Sequence, residues 1–332
     1  MSRQTEEQQA SQHGASAGAA EHHVDHEAEH RPDVAHRASR AGLERHARVA
    51  DAGARAPAAD PRKQHDAADV ADFRGIEASM QLGARQLQAA ADEILRIIAR
   101  PVNEAGIEPQ LQQLRARIGK ASTDFYRLNT QIGSGVKIEG GPVSGMTSLY
   151  TQLHPALGAI ETAFNQFKEA TARAEKFVTQ HAGKLEAEQW CGDMARYLGE
   201  MRHKLGLGGD AARERPVDSR SGTTLLEEAL GANLTALHEA IGAVRSGMTS
   251  GDEQVVQGDV RKVIRHANAI SALLQQNTDP KLLKTHKRRV DQAVQETVHL
   301  ENEAKARPAI AESMRSSELG RYRSEIQAKI GH

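Results

Sequence analysis

The sequence has few aromatic residues, one cysteine and no long uncharged apolar run, and each absence argues against a class of protein. Aromatic side chains make up 3% of the 332 residues, which disfavours β-sandwiches, whose strands favour aromatic and β-branched side chains. Because Cys191 is the only cysteine, no disulfide can form within the chain, and nothing indicates an oxidising compartment. No apolar segment approaches the roughly 20 residues of a transmembrane helix, so we expect no membrane span.

Charge and the first residues also limit the possibilities. The formal net charge is −1, so the overall charge favours no class of partner. The first residues, Met-Ser-Arg-Gln-Thr-Glu-Glu, lack the apolar core of a secretory signal peptide. We therefore expect a cytoplasmic protein, or one exported without a classical signal peptide.

Residues 1–68 form a polar segment rich in His, Ala, Arg and Glu. After Met1, its large apolar side chains are limited to Val24, Val34, Leu43 and Val49. Such a segment buries too little apolar surface to offset the entropy lost on ordering. The composition therefore predicts a disordered N-terminal tail over residues 1–68.

From Phe73 onwards, apolar residues recur at alternating steps of three and four, as in long heptad-patterned or coiled-coil helices. The first such stripe consists of Phe73, Ile76, Met80, Gly83, Leu87, Ala90, Ile94 and Ile97. Seven further segments follow, the last opening at Pro308, so we expect an all-α body of eight helices. The Gly-, Pro- and charge-rich residues 208–222 separate a first bundle (69–207) from a second (223–332). Two antiparallel four-helix bundles are the simplest architecture, and one elongated helical array is the alternative.

A zinc-protease pattern occurs inside the polar tail. The segment His-Glu-Ala-Glu-His at residues 26–30 fits H-E-x-x-H, and His36 stands where a third zinc ligand would follow. Asp33 replaces the glycine of the longer pattern, and the surrounding residues are polar, so no core would hold a substrate beside the metal. We interpret His26, His30 and His36 as a weak or adventitious metal site.

The densest positive cluster is a candidate contact surface. It consists of Lys281, Lys284, Lys287, Arg288 and Arg289. Acidic residues resume at Asp291 and no aromatic residue interleaves the basic ones, so nucleic acid is a disfavoured partner. The cluster would suit phosphate groups or an acidic protein, or it would act as a localisation signal in a eukaryotic cell, and an ordinary solvated helix face is the simpler interpretation. The glycine-rich loop 133–145 is a second candidate contact segment.

The helices show no convergent set of polar residues suited to catalysis. We therefore expect a non-enzymatic interaction or structural protein without a cofactor, which docks another protein or a second copy of itself through amphipathic helices. The tail would then act as a tether. The alternative is an exported bacterial effector or cargo whose tail is a loading signal, by analogy of composition alone. A third hypothesis is a zinc-dependent hydrolase that uses residues 26–30.

We expect limited proteolysis of the full chain to remove residues 1–68 and to leave a helical core that unfolds cooperatively. The reason is the change at Phe73 from polar sequence to amphipathic stripes. Mass spectrometry of the fragments, with circular dichroism of the core, checks the result. Strong hydrogen-exchange protection throughout residues 1–68 would contradict it.

Overall fold

The structure, a computed structural model, describes residues 61–102, 106–133, 152–205, 215–276, 280–315 and 318–330. Within these ranges it contains nine α-helices and no β-strand, which confirms the all-helical class. None of these helices is long and apolar enough to cross a membrane. Residues 1–60, with the candidate metal ligands His26, His30 and His36, lie outside the described residues.

The helix boundaries differ from the expected ones at both ends of the body. In chain order the helices are α1 (Pro61–Ile98), α2 (Glu108–Gly133), α3 (His154–Gln180), α4 (Glu188–Lys204), α5 (Gly222–Ser250), α6 (Glu253–Gln276), α7 (Pro280–Ala304), α8 (Pro308–Arg315) and α9 (Leu319–Ile330). Helix α1 thus includes residues 61–68, which the composition had placed in the tail. The segment from Pro308, expected as one helix, forms the two helices α8 and α9.

Helix α1 is the element that two hydrophobic clusters share. Its residues Met80, Leu87 and Ile94 pack in one cluster with side chains from α2, α3 and α4. Its residues Ala78 and Leu82 belong to the other cluster, which otherwise consists of side chains from α5 to α9. Helix α1 accordingly makes its most extensive contacts with α5 and α3. The division into two bundles at residues 208–222 stays a prediction, since residues 206–214 lie outside the described residues.

Helices α1 and α6 run parallel. Their contacts pair His65 with Asp259 and Gln86 with Gln276, so the difference in residue number stays near 190 along both helices. A nearly constant difference means that the two chains advance in the same direction. The N-terminal turns of α1 therefore lie beside the N-terminal half of α6.

Helix α5 runs antiparallel to α1. Arg220, just before α5, contacts Gln81, whereas Asn233, further along α5, contacts Gly75, which lies earlier in α1. Ser221 begins the helix by accepting the backbone N–H of Thr224 at 3.1 Å. Together with the contacts between α1 and α6, these contacts bring the three helices α1, α5 and α6 together at one junction.

Two glycines have different structural roles in the body: one permits a close helix contact, and the other permits a turn. A Cβ on Gly83 would lie 2.6 Å from Cδ2 of Leu128, so the absence of a side chain lets α2 approach α1. Gly251 ends α5 in the left-handed region, at φ 81°, which turns the chain sharply into α6. The turn thereby makes α5 and α6 an antiparallel hairpin.

We expect Ile94→Asp to destabilise the body by roughly 4 kcal/mol or more, because it puts an unpaired charge into a fully buried position. Chemical denaturation followed by circular dichroism measures the change in the free energy of unfolding. Asn165→Asp, which adds the same charge at an exposed position of α3, is the control and should change stability little. Equal effects of the two variants would show that Ile94 is not part of a packed core.

Candidate functional site

Polar and charged side chains lie buried where α1, α5 and α6 meet. Asp72 of α1, Asn233 of α5, and Asp259, Arg265 and His266 of α6 are each at most 2% exposed. Burying such groups costs free energy unless each finds a hydrogen-bond or charge partner. The partners of these residues therefore determine how the three helices can sit against one another.

Asp72 joins α1 to two cationic or hydrogen-bonding groups of α6. Arg265 donates from Nη1 to both carboxylate oxygens of Asp72, at 2.5 and 2.7 Å, and Nε2 of His266 lies 2.9 Å from Oδ1. Burial alone would raise the pKa of Asp72, but the charge of Arg265 and the hydrogen bond from His266 hold this pKa well below its ordinary value. Asp72 is therefore a carboxylate at neutral pH.

Asn233 extends the network from α6 to α5 and α1. Its Nδ2 donates to the carbonyl of Ala229 at 2.7 Å and to Oγ of Ser79 at 3.1 Å. Its Oδ1 lies 2.8 Å from Nδ1 of His266. Burial lowers the pKa of His266, and the hydrogen bond with Asp72 opposes this effect. Through these contacts one imidazole connects side chains of all three helices.

Gly75 makes room for that imidazole. A Cβ at this position would lie 2.8 Å from Cε1 of His266 and 3.3 Å from Oδ1 of Asn233. Only a residue without a side chain allows the α1 backbone to stand this close to the ring. Gly75 is therefore a structural requirement of the network.

A second group of charges lies nearer the start of α1. Lys262 of α6 forms ion pairs with Asp69 and, at 2.8 Å, with Asp259. Burial lowers the pKa of Lys262, but the two carboxylates outweigh that effect and raise it. His65 approaches Asp259 at 3.1 Å, and this hydrogen bond raises the pKa of His65 although burial opposes it.

The geometry around Lys262 favours an ion-pair cluster over a metal centre. His65, Asp69 and Asp259 bring one possible donor atom each within 4.8 Å of one another. However, the ammonium group of Lys262 contacts both carboxylates and is itself only 5% exposed. A buried ammonium group thus already lies between the two carboxylates, where a metal ion would have to sit, and it neutralises one of their two charges.

A groove lies between α1 and α5, on a face of α1 different from the one that meets α6. It has a volume of about 730 Å³, and its apolar lining consists of Ala67, Val70, Ala71, Gly231 and Ala232. Val70 is 41% exposed, and Tyr126 is the other large hydrophobic side chain with high exposure in the part of the chain that the structure describes. Tyr126 packs against Tyr197, with ring centroids 5.4 Å apart. The groove around Val70 is therefore a candidate docking surface.

The basic residues identified in the sequence all lie on α7, and all are exposed. They are Lys281, Lys284, Lys287, Arg288 and Arg289. Arg289 also lines the groove and donates to Oγ1 of Thr235 at 3.2 Å, and Lys287 donates to the carbonyl of Ile330 at 2.9 Å. The glycine-rich loop enters the described residues only at Gly133, the last residue of α2.

The buried network was not found from the sequence, although two signals were present. Asn233 stands within the apolar stripe of α5, where a polar side chain needs a buried partner. In α6, Asp259, Lys262 and His266 recur at helical spacing beside the apolar stripe, which identifies a second face. Their partners on α1 lie about 190 residues away in the chain, so no local pattern connects them.

Comparison of the chain with models of protein families, with curated proteins and with solved structures gives no match. The interpretation of the site therefore rests on its geometry and chemistry.

We expect Gly75→Ala to destabilise the protein by about 1–3 kcal/mol, because the new methyl group would collide with His266. Gly231→Ala, also within a helix but with open space around its Cβ position, should instead stabilise it by about 0.5–1 kcal/mol. Urea denaturation of both variants measures the two effects. A stabilising Gly75→Ala would mean that α1 does not approach the imidazole as described.

Proposed function

We propose that this protein is a non-enzymatic, helical interaction protein whose groove between α1 and α5 binds an amphipathic helix of another protein. The observation that carries the proposal is Val70, a large apolar side chain 41% exposed in a groove whose other apolar lining residues are alanine and glycine. Exposed apolar surface that is framed by charges is typical of protein–protein contacts. The expected occupant is an α-helix, since the groove runs between two helices.

The small lining residues favour a helix over an extended peptide. Ala67, Ala71, Gly231 and Ala232 leave a trough between antiparallel helices α1 and α5, into which a ridge of larger side chains would fit. Helix-in-groove binding uses apolar anchors at i, i+3, i+4 and i+7 on the incoming helix. A bound helix would thus extend the pattern of packing already present in the body.

Charges around the groove indicate the chemistry of the partner. Asp66, Glu228 and Glu239 are acidic, and Arg74 and Arg289 are basic. A complementary helix would carry flanking charges of both signs, with an acidic residue towards Arg289. These exposed charges would contribute mainly to orientation and to the rate of association.

The buried cluster supports a structural role for its titratable groups. Arg265 and His266 both bond to Asp72 at no more than 2.9 Å, and all three residues are at most 2% exposed. Groups that satisfy each other in the interior are poorly placed to reach a substrate.

We further propose a role for three other parts of the chain. Each hydrophobic cluster would be the core of one helical bundle, and residues 1–60 would act as a tether. The basic face of α7 would contact acidic protein.

The groove can be blocked without disturbing the fold. Gly231→Trp fills the groove, and Gly242→Trp places the same side chain elsewhere on α5; neither added Cβ would have an atom within 4 Å. A photo-crosslinking amino acid at position 70 of the full chain would identify the bound protein in lysate of the native cells. We expect Gly231→Trp to abolish that crosslink and Gly242→Trp to retain it.

Affinity provides the quantitative arm of the experiment. A peptide covering the crosslinked helix should bind the Gly231→Trp variant at least about tenfold more weakly, or roughly 1.4 kcal/mol, than it binds the wild-type protein. Equal affinity for both variants would refute the proposed groove. Light scattering could instead show a dimer that Gly231→Trp dissociates and Gly242→Trp does not. The groove would then be occupied by a second copy of this chain, and the proposal that it binds a different protein would be overturned.

A further inference from the structure

The charged groups around His65 leave one carboxylate for its imidazole. Asp69 and Asp259 contribute two carboxylates there, whereas Lys262 contributes one cation. With a neutral imidazole at position 65, these groups therefore carry a formal charge of −1 in a largely buried environment. Such an excess is costly in a low dielectric, so one imidazolium stabilises the arrangement.

His65 is the group suited to supply that charge. Its side chain is 32% exposed, so its proton can exchange with solvent, while its Nδ1 lies 3.1 Å from Oδ1 of Asp259. The charged groups that face it are Asp259 and Lys262 on α6 and Asp69 on its own helix. The other imidazole, His266, is fully buried and faces Asp72, Arg265 and Lys262 together with Asn233.

The beginning of α1 buries no large aliphatic side chain on the body. Between residues 62 and 75, the buried apolar side chains are those of Ala68 and Ala71, with Phe73 partly buried. The large buried residues of α1 begin at Ile76 and continue with Met80. Because burial energy scales with apolar area, the polar contacts carry much of the attachment of residues 62–75.

We propose that residues 62–75 of α1 form a pH-sensitive latch, held on α6 by protonated His65 and loosened when His65 loses its proton. The hydrogen bond with Asp259 raises the pKa of His65, so its contribution is complete below the unfolded value of about 6.5. This stabilising contribution is lost as the pH rises through the pKa of His65 in the folded protein. Burial lowers the pKa of His266, so protonation of that ring would destabilise the folded protein, and it would do so only at lower pH.

The latch would regulate the groove, and this part of the inference rests on the proposed function. Ala67, Val70 and Ala71 belong both to residues 62–75 and to the lining of the groove. If these turns of α1 leave α6, they also lose their fixed position against α5. Binding in the groove should therefore weaken as the pH rises, without any change in the groove residues themselves.

Hydrogen exchange of the full-length protein tests the latch without a partner. Exchange of peptides covering residues 62–75 would be measured by mass spectrometry at pH 6.0 and 8.5, after correction for intrinsic rates. We expect the opening equilibrium to rise about tenfold for each unit by which the folded pKa of His65 exceeds the unfolded one. His65→Gln should remove this pH response, and His238→Gln, at an exposed histidine of α5, should retain it.

Two results would overturn the latch. One is equal protection of residues 62–75 at both pH values in the wild-type protein, and the other is an unchanged pH response in His65→Gln. An NMR titration must also find the pKa of His65 above about 6.5. If residues 62–75 respond to pH but no partner binds in the groove, the proposed function alone is refuted. If a partner binds but residues 62–75 do not respond to pH, the latch alone is refuted.

Discussion

Gly75 allows the backbone of α1 to stand against the imidazole of His266, and the remaining contacts of the junction depend on that approach. Once α1 is this close, Asp72 lies beside Arg265, and Ser79 lies beside Asn233 of α5. Hydrogen bonds are directional, so this set fixes both the rotation and the register of α1. Non-directional apolar packing alone would leave such a long helix freer to slide.

Fixing the rotation of α1 also decides which side chains face outwards. Asp69 and Asp72 point to α6, so Val70 and Arg74, on another face of the helix, line the groove with α5. The buried network and the exposed groove are therefore two consequences of one helix orientation. The α5 face of the groove is held by the same junction, because Asn233 bonds to α1 two positions after Gly231.

The attachment of α1 changes character along its length. Its early turns meet α6 largely through charges, whereas later residues such as Met80, Leu87 and Ile94 are buried in an apolar cluster. Ion pairs and imidazoles respond to pH, while apolar packing does not respond directly. One continuous helix therefore combines a half that packs through large apolar side chains with a half that meets α6 through charges, and the candidate groove lies on the second half.

Local periodicity was sufficient to predict helices wherever apolar residues mark one face. It did not predict residues 61–68 as helical, because their order depends on contacts such as that of His65 with Asp259, distant in the chain. It also merged α8 and α9, because the step of five residues between Met314 and Leu319 was not taken as the end of a stripe. Local sequence describes a face of a helix, and it cannot show which distant helix will cover that face.

The sequence by itself determined the all-helical class and the approximate position of most helices, because apolar periodicity is a local property of the chain. It also placed Lys281 and its basic neighbours on one exposed helix face, since lysine and arginine side chains are rarely buried. Only the tertiary structure decided that Asp72, Asn233 and His266 share a junction and that Val70 stays uncovered. The physical reason is that polar partners and uncovered faces are defined by which helices meet, and α1 meets α6 across roughly 190 residues of intervening chain.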